Sequence, residues 1–176
     1  RSIATHFANA SVYQSDWQLQ RELWWQFSWR VPQLQSDVTV LLSNPSHLDL
    51  VSTHDYTVWG AANLIYNSGE HRARLYGLHL SEEAAERIES AVVLKGETRD
   101  YRFQMDPSRI LVATLPTASS CLHVVDAVRR ELPSEADSLL RRVAPYSDVG
   151  LIRAAEEAVA PPAIVFGSEP PHAWCW

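Results

Sequence analysis

Glycine is scarce in this sequence, and its six residues are scattered along the chain. They complete none of the motifs GxGxxG, GxxxxGK[ST] or GxSxG, and the motif HExxH is missing as well. Glycine-rich turns matter because they let the backbone approach a phosphate group closely. The sequence therefore argues against an enzyme that uses a nucleoside triphosphate or a dinucleotide, and we predict that the protein uses no cofactor.

Cysteine is scarce too, since the chain has only Cys121 and Cys175. Neither belongs to a CxxC or CxxH pair, the spacing typical of zinc sites, so we predict that no metal is bound. Two interpretations of the pair stay open. Either both residues are buried free thiols, or they form a disulfide that ties the C-terminal tail to the core, which requires an oxidising compartment.

Basic residues are few as well: 15 Lys and Arg stand against 21 Asp and Glu, for a net charge of −6. An acidic chain is poorly suited to a phosphate backbone, so we expect no nucleic-acid partner. No apolar stretch approaches the roughly 18 residues that a membrane-spanning helix needs. The chain begins without methionine and ends on Trp176, and we expect residues 1–176 to be a single domain cut from a longer protein.

Tryptophan, in contrast, is abundant, with seven residues in the chain. Large apolar residues recur at helical spacing near the N-terminus, which predicts a helix over residues 12–30 with one aromatic face: Tyr13, Trp17, Trp24, Phe27 and Val31. We expect this face, Trp17 included, to pack onto the rest of the domain. The alternative is a helix at a membrane interface, where Trp and Tyr concentrate, but its polar side has only Arg21 and Arg30 as basic residues.

The rest of the chain alternates between strand and helix patterns. The predicted strands cover residues 37–42, 73–78, 98–105, 110–115 and 121–125, and the predicted helices cover 54–66, 81–93, 135–143 and 149–159. Connections within 98–125 are too short for crossovers, which predicts an antiparallel meander there. The predicted fold class is therefore α/β: a mixed sheet with a parallel βαβ start and an antiparallel meander, covered by helices, with an aromatic-rich N-terminal helix.

Four polar residues are weak candidates for a binding site, two in each of two loops. His54 and Asp55 follow the first predicted strand, where ligands commonly bind in α/β proteins. Glu169 and His172 lie in a proline-rich loop near the C-terminus. A histidine beside carboxylates can act as a general base. The alternative is structural, with Asp55 capping a helix and the C-terminal pair solvated.

Three segments carry a resemblance to known proteins: DWQLQRELWWQFSWRVP at residues 16–32, CLHVVD at 121–126 and FGSEPPHAWCW at 166–176. Together they resemble the soluble portion of large polytopic bacterial membrane proteins of uncharacterised function, in which this pattern follows a block of transmembrane helices. Some of those blocks look like membrane glycosyltransferases. The resemblance implies a membrane-associated domain on the extracytoplasmic side, whose partner is the membrane-embedded remainder of the same polypeptide. That compartment also favours a disulfide between Cys121 and Cys175.

The functional expectation follows from this setting and from the aromatic residues. We expect a non-catalytic accessory or binding domain of a bacterial membrane protein, one that handles glycans or lipid-linked sugars, because sugars stack on exposed Trp and Tyr rings. One alternative is a small hydrolase or transferase that uses the His54, Asp55, Glu169 and His172 neighbourhood. Another is a structural domain whose aromatic helix docks on partner helices.

Overall fold

A computed structural model describes residues 2–43, 55–66, 75–91, 93–98, 101–117, 120–129, 132–134 and 136–153. The helices within these ranges are α1 (Ser2–Arg30), α2 (Asp55–Tyr66), α3 (Glu82–Glu89) and α4 (Ser138–Val143). The strands are β1 (Gln33–Leu34), β2 (Thr39–Ser43), β3 (Tyr76–His79), β4 (Leu94–Thr98), β5 (Tyr101–Met105), β6 (Ile110–Thr114), β7 (His123–Val124) and β8 (Ile152–Arg153). Two short 3₁₀ turns, Ala144–Tyr146 and Val149–Leu151, follow α4.

The central sheet has the strand order β3-β2-β6-β7. β2 runs parallel to β3 on one side and to β6 on the other, and β7 is antiparallel to β6. Every residue of β2 and β6 is buried, which explains why both strands read as nearly continuous apolar runs. Two antiparallel pairs, β1 with β8 and β4 with β5, form separate two-stranded sheets.

Helices cover both faces of the central sheet. α1 and α2 pack on one face, where β2 contributes Val40 and Leu42 and β6 contributes Leu111. α3 and α4 pack on the other face, against Leu41 of β2 and Val112 of β6. Alternate residues of each strand thus enter opposite layers, as the pleat of a strand requires. The result is a three-layer α/β/α arrangement.

The close approach of α2 to β3 depends on Gly77. A Cβ atom at that position would lie 2.5 Å from the backbone nitrogen of Trp59 and 2.7 Å from Cγ1 of Val58. Asn63 adds a polar link, because its side-chain nitrogen donates to the carbonyl of Leu75 (2.7 Å) and its side-chain oxygen accepts from the Leu75 N–H (3.2 Å). These contacts fix the parallel β2-α2-β3 unit.

α3 and α4 are joined by charge as well as by apolar packing. The side chain of Arg142 on α4 forms ion pairs with Glu82 and Glu89, which lie at the two ends of α3. The hydrogen bond from Arg142 holds the pKa of Glu89 below its ordinary value, and the two carboxylates raise the pKa of Arg142. Ser81 caps α3 by accepting a hydrogen bond from the N–H of Ala84 at 3.1 Å.

The predicted α/β class is confirmed, with a mixed sheet and an N-terminal helix rich in Trp and Tyr. Of the antiparallel pairs predicted over residues 98–125, the pair formed by residues 110–115 and 121–125 is confirmed as β6 with β7, whereas the predicted pairing of residues 98–105 with 110–115 is wrong. β5 pairs with β4 instead, and β6 pairs in parallel with β2, so that antiparallel pairing in the central sheet is confined to β6 and β7. The physical reason is that α3 and the β4-β5 hairpin together form a connection from β3 that is long enough for a crossover.

The boundaries of the predicted helices also change. α1 extends to Ser2, well before the predicted start, and α3 ends at Glu89. Within the helix predicted at 149–159, the described residues form a 3₁₀ turn followed by β8. Residues 154–159 lie outside the described ranges.

Candidate functional site

The aromatic face of α1 is buried only along the second half of the helix. Trp24 and Phe27 are buried, and their rings meet edge to face with centroids 5.4 Å apart. Tyr13 and Trp17, nearer the N-terminus on the same face, are 59% and 55% exposed. The prediction that Trp17 packs onto the domain is therefore wrong. At 1.5 Å per residue, Trp17 lies about 10 Å further along the helix axis than Trp24, where the core no longer covers this face.

The buried half of α1 is held by specific contacts. The ring of Phe27 meets that of Tyr66 on α2 edge to face at 6.0 Å, and the Tyr66 hydroxyl donates to the carbonyl of Val31 at 2.7 Å. Burial of Tyr66 raises the pKa of its hydroxyl, which keeps that donor protonated. The side-chain oxygen of Gln26 accepts from the N–H of Leu122 at 2.6 Å. These contacts therefore hold the C-terminal half of α1 firmly against the rest of the domain.

Cys121 precedes Leu122 directly and takes part in a disulfide. The sequence has one other cysteine, Cys175, which lies outside the described residues. The pairing of Cys121 with Cys175 therefore stays a prediction. The disulfide at Cys121 places a covalent link one residue from the hydrogen bond that joins Leu122 to α1.

Polar side chains form a row at the carboxyl edge of the central sheet. Ser43 ends β2 and Thr114 ends β6, and the two are register partners. His123 begins β7 and is the register partner of Thr114 on its other side. Register partners share a face, and the alternation along β2 and β6 assigns this polar row to the face that α3 and α4 cover. Ser43 and Thr114 are 9% and 3% exposed, whereas His123 is exposed.

The polar row lies at the point where the chain changes direction across the sheet. From β2 the chain crosses to β3 on one side, and from β3 it returns past β2 to β6 on the other. In α/β folds the carboxyl ends of two such strands border a crevice where ligands bind. β2, β6 and β7 contain no Lys, Arg, Asp or Glu. These three strands therefore bring no Lys, Arg, Asp or Glu side chain to the edge.

Of the four predicted site residues, the structure describes only the backbone of Asp55, the first residue of α2. A carboxylate is favourable at that position because of the helix dipole, in keeping with the structural interpretation. His54, Glu169 and His172 lie outside the described residues. Whether these four residues come together stays a prediction.

Ser43 and Thr114 were not among the predicted site residues. Their signal in the sequence is that two apolar runs, TVLLS and ILVAT, each end on a hydroxyl residue. The pattern becomes informative only with the register, which places Thr114 between Ser43 and His123. His123, the third member of the polar row, is exposed.

Within the described ranges, no three His, Cys, Asp or Glu side chains gather closely enough to hold a metal ion. No helix in that part of the chain combines the length and apolar character needed to cross a membrane. In comparisons with protein-family models, curated proteins and solved structures, nothing matches this chain. What the domain does must therefore be inferred from the exposed face of α1 and from the polar row.

Proposed function

We propose that this is a non-catalytic accessory domain of a bacterial membrane protein, located on the extracytoplasmic side. In this proposal it docks onto the membrane-embedded remainder of the same polypeptide through α1. The observation that carries the proposal is the exposure of Tyr13 and Trp17 on the face that Trp24 and Phe27 bury further along the helix.

Tyr13 and Trp17 are one helical turn apart, so their rings form one apolar patch. Gln20 and Arg21 separate this patch from the buried part of the same helical face, and Val12 beside the patch is also exposed. Exposed apolar patches are typical of surfaces that a second molecule or domain covers. Trp and Tyr are also the residues that contribute most when an interface buries them.

The charge of this part of α1 favours a protein partner over a lipid surface. Residues 2–20 contain no Lys or Arg and a single acidic residue, Asp16. Helices that lie on anionic membranes carry basic residues on their polar side.

Glycan handling belongs to the same proposal. Trp29 is exposed, and the face of an exposed Trp ring is a surface on which a sugar ring can stack. The alternative, a small hydrolase or transferase, depends on His54, Asp55, Glu169 and His172. The structure describes none of those four side chains, so this alternative stays a prediction.

Site-specific photocrosslinking in the full-length parent protein tests the docking. A photoreactive amino acid replaces Trp17 in one variant and Glu86, an exposed residue of α3, in the control variant. We expect the probe at position 17 to crosslink to peptides of the same polypeptide outside residues 1–176, with far less crosslinking from position 86. Equal crosslinking from both positions, or crosslinks from position 17 to lipid alone, would contradict the proposal.

A further inference from the structure

We infer that the polar row formed by Ser43, Thr114 and His123 binds a neutral, polyhydroxylated ligand, namely a saccharide. This inference rests on the proposed function, because it assigns a ligand to a domain that we propose binds sugars without transforming them. It uses a different surface from the docking patch on α1. The two can therefore fail independently.

The geometry of the polar row suits a small ligand. Neighbouring strands lie about 4.8 Å apart, so the three side chains span about 10 Å along the carboxyl edge of the sheet. They belong to β2, β6 and β7, and the first two of these strands border the crevice at which α/β sheets bind ligands. A row of this length fits a single sugar or the end of a longer glycan.

The hydroxyls in the polar row differ from the other threonine hydroxyl on the same face of β2. Thr39 lies at the opposite end of β2 and is completely buried, and its Oγ1 is a buried atom without a partner. Ser43 and Thr114 keep a small exposed surface at the edge, and no hydrogen bond joins either hydroxyl to another described residue. Hydroxyls that are nearly buried are costly unless they are hydrogen-bonded. Two such hydroxyls on neighbouring strands are therefore suited to a hydrogen-bonding ligand.

The chemistry of the polar row matches a saccharide better than an anion. A Ser or Thr hydroxyl donates one hydrogen bond and accepts two, and neutral histidine offers one donor and one acceptor. Sugar hydroxyls have the same dual character and can pair with either. A phosphate or carboxylate is usually held by Arg or Lys, and β2, β6 and β7 have neither. Among the described residues no hydrogen bond joins Thr114 to His123, as an activated hydroxyl nucleophile would require.

Amide NMR titration of the domain tests this inference. Glucose, mannose and N-acetylglucosamine are each titrated into labelled protein, and inorganic phosphate is titrated in parallel. We expect saturable shifts at Ser43, Thr114 and His123 with at least one sugar. Thr114→Val and Ser43→Ala should each weaken binding by about three- to tenfold, the effect of losing one hydrogen bond. The control Thr39→Val removes a hydroxyl from the same strand and face and should leave the affinity unchanged.

Three results would overturn the inference. Shifts at the row with phosphate but with no sugar would identify an anion site. Sugar-induced shifts confined to the surroundings of Trp29 would assign sugar binding to α1. No shift with any sugar would exclude saccharides as ligands of this domain. Neither result affects the expected crosslinking from position 17. Should Thr114→Val fail to fold, Ser43→Ala and His123→Gln provide the same test.

Discussion

Replacing Thr39 with valine should make the domain more stable. Thr39 is 0% exposed in β2, an inner strand of the central sheet, and its Oγ1 has no hydrogen-bond partner. Thr39→Val exchanges the hydroxyl for a methyl group of similar volume, so it removes a buried unpaired polar group without opening a cavity. A polar group of this kind costs about 1–3 kcal/mol. We expect the free energy of unfolding to rise by about 1–2 kcal/mol.

Ser147→Ala is the matched control, because it also removes one buried hydroxyl. The Ser147 hydroxyl donates to the carbonyl of Val125 at 2.6 Å and accepts from the N–H of Val112 at 3.0 Å. Its removal leaves two buried backbone groups without that partner, so the free energy of unfolding should fall by about 1–3 kcal/mol. Removal of a buried hydroxyl should therefore raise the free energy of unfolding at Thr39 and lower it at Ser147, although both positions are register partners of Ile110.

Urea denaturation followed by tryptophan fluorescence measures both variants. For Thr39→Val we expect a higher midpoint at an unchanged slope, and a melting temperature raised by about 2–4 °C for each kcal/mol. A midpoint equal to or below that of the parent chain would refute the reasoning. It would mean that the Thr39 hydroxyl is satisfied, so that its burial carries no penalty.

Four further substitutions test the packing and the charges. Trp24→Ala should lower the free energy of unfolding by about 3–5 kcal/mol, whereas Trp17→Ala should change it by less than about 1 kcal/mol, and urea denaturation of both variants compares them. Gly77→Ala should destabilise by about 1–3 kcal/mol or more, since its Cβ would meet backbone atoms of α2; an unchanged melting temperature would contradict that contact. The lowered pKa of Glu89 means that its ion pair with Arg142 stabilises the fold above the ordinary glutamate pKa of 4.5 and is lost as the pH falls through the lowered value. Arg142→Gln should therefore flatten this part of the acid dependence of the urea midpoint, and an identical pH profile would argue against the pair.

The existence of the main elements could be predicted from local pattern, but the pairing of the strands could not. TVLLS and ILVAT are short β-branched and apolar runs, and both form buried strands. Nothing in either run shows that β6 lies beside β2, because that contact is made across a long stretch of chain. The antiparallel meander was predicted from short connections alone. The crossover through α3 and the β4-β5 hairpin overrides that local argument for β5 and β6, whereas β6 and β7 pair antiparallel as predicted.

The site was less predictable than the fold, for two physical reasons. The spacing of Tyr13, Trp17, Trp24 and Phe27 shows that they share a helical face, but spacing does not show how far along the helix the core extends. Trp17 and Trp24 are equivalent in the pattern and opposite in burial. A hydroxyl at the end of a strand is likewise unremarkable until the register places a second one beside it.

The proposed docking through α1 is tested most directly by hydroxyl-radical footprinting, with mass spectrometry of the isolated domain and of the full-length parent protein that we propose. The oxidation rate of Trp17 is compared with that of Tyr146, an exposed residue on the opposite layer. We predict that Trp17 is oxidised readily in the isolated domain and is protected several-fold in the full-length protein, while Tyr146 reacts equally in both. Equal oxidation of Trp17 in the two preparations would show that α1 remains uncovered and would contradict its role as a docking helix.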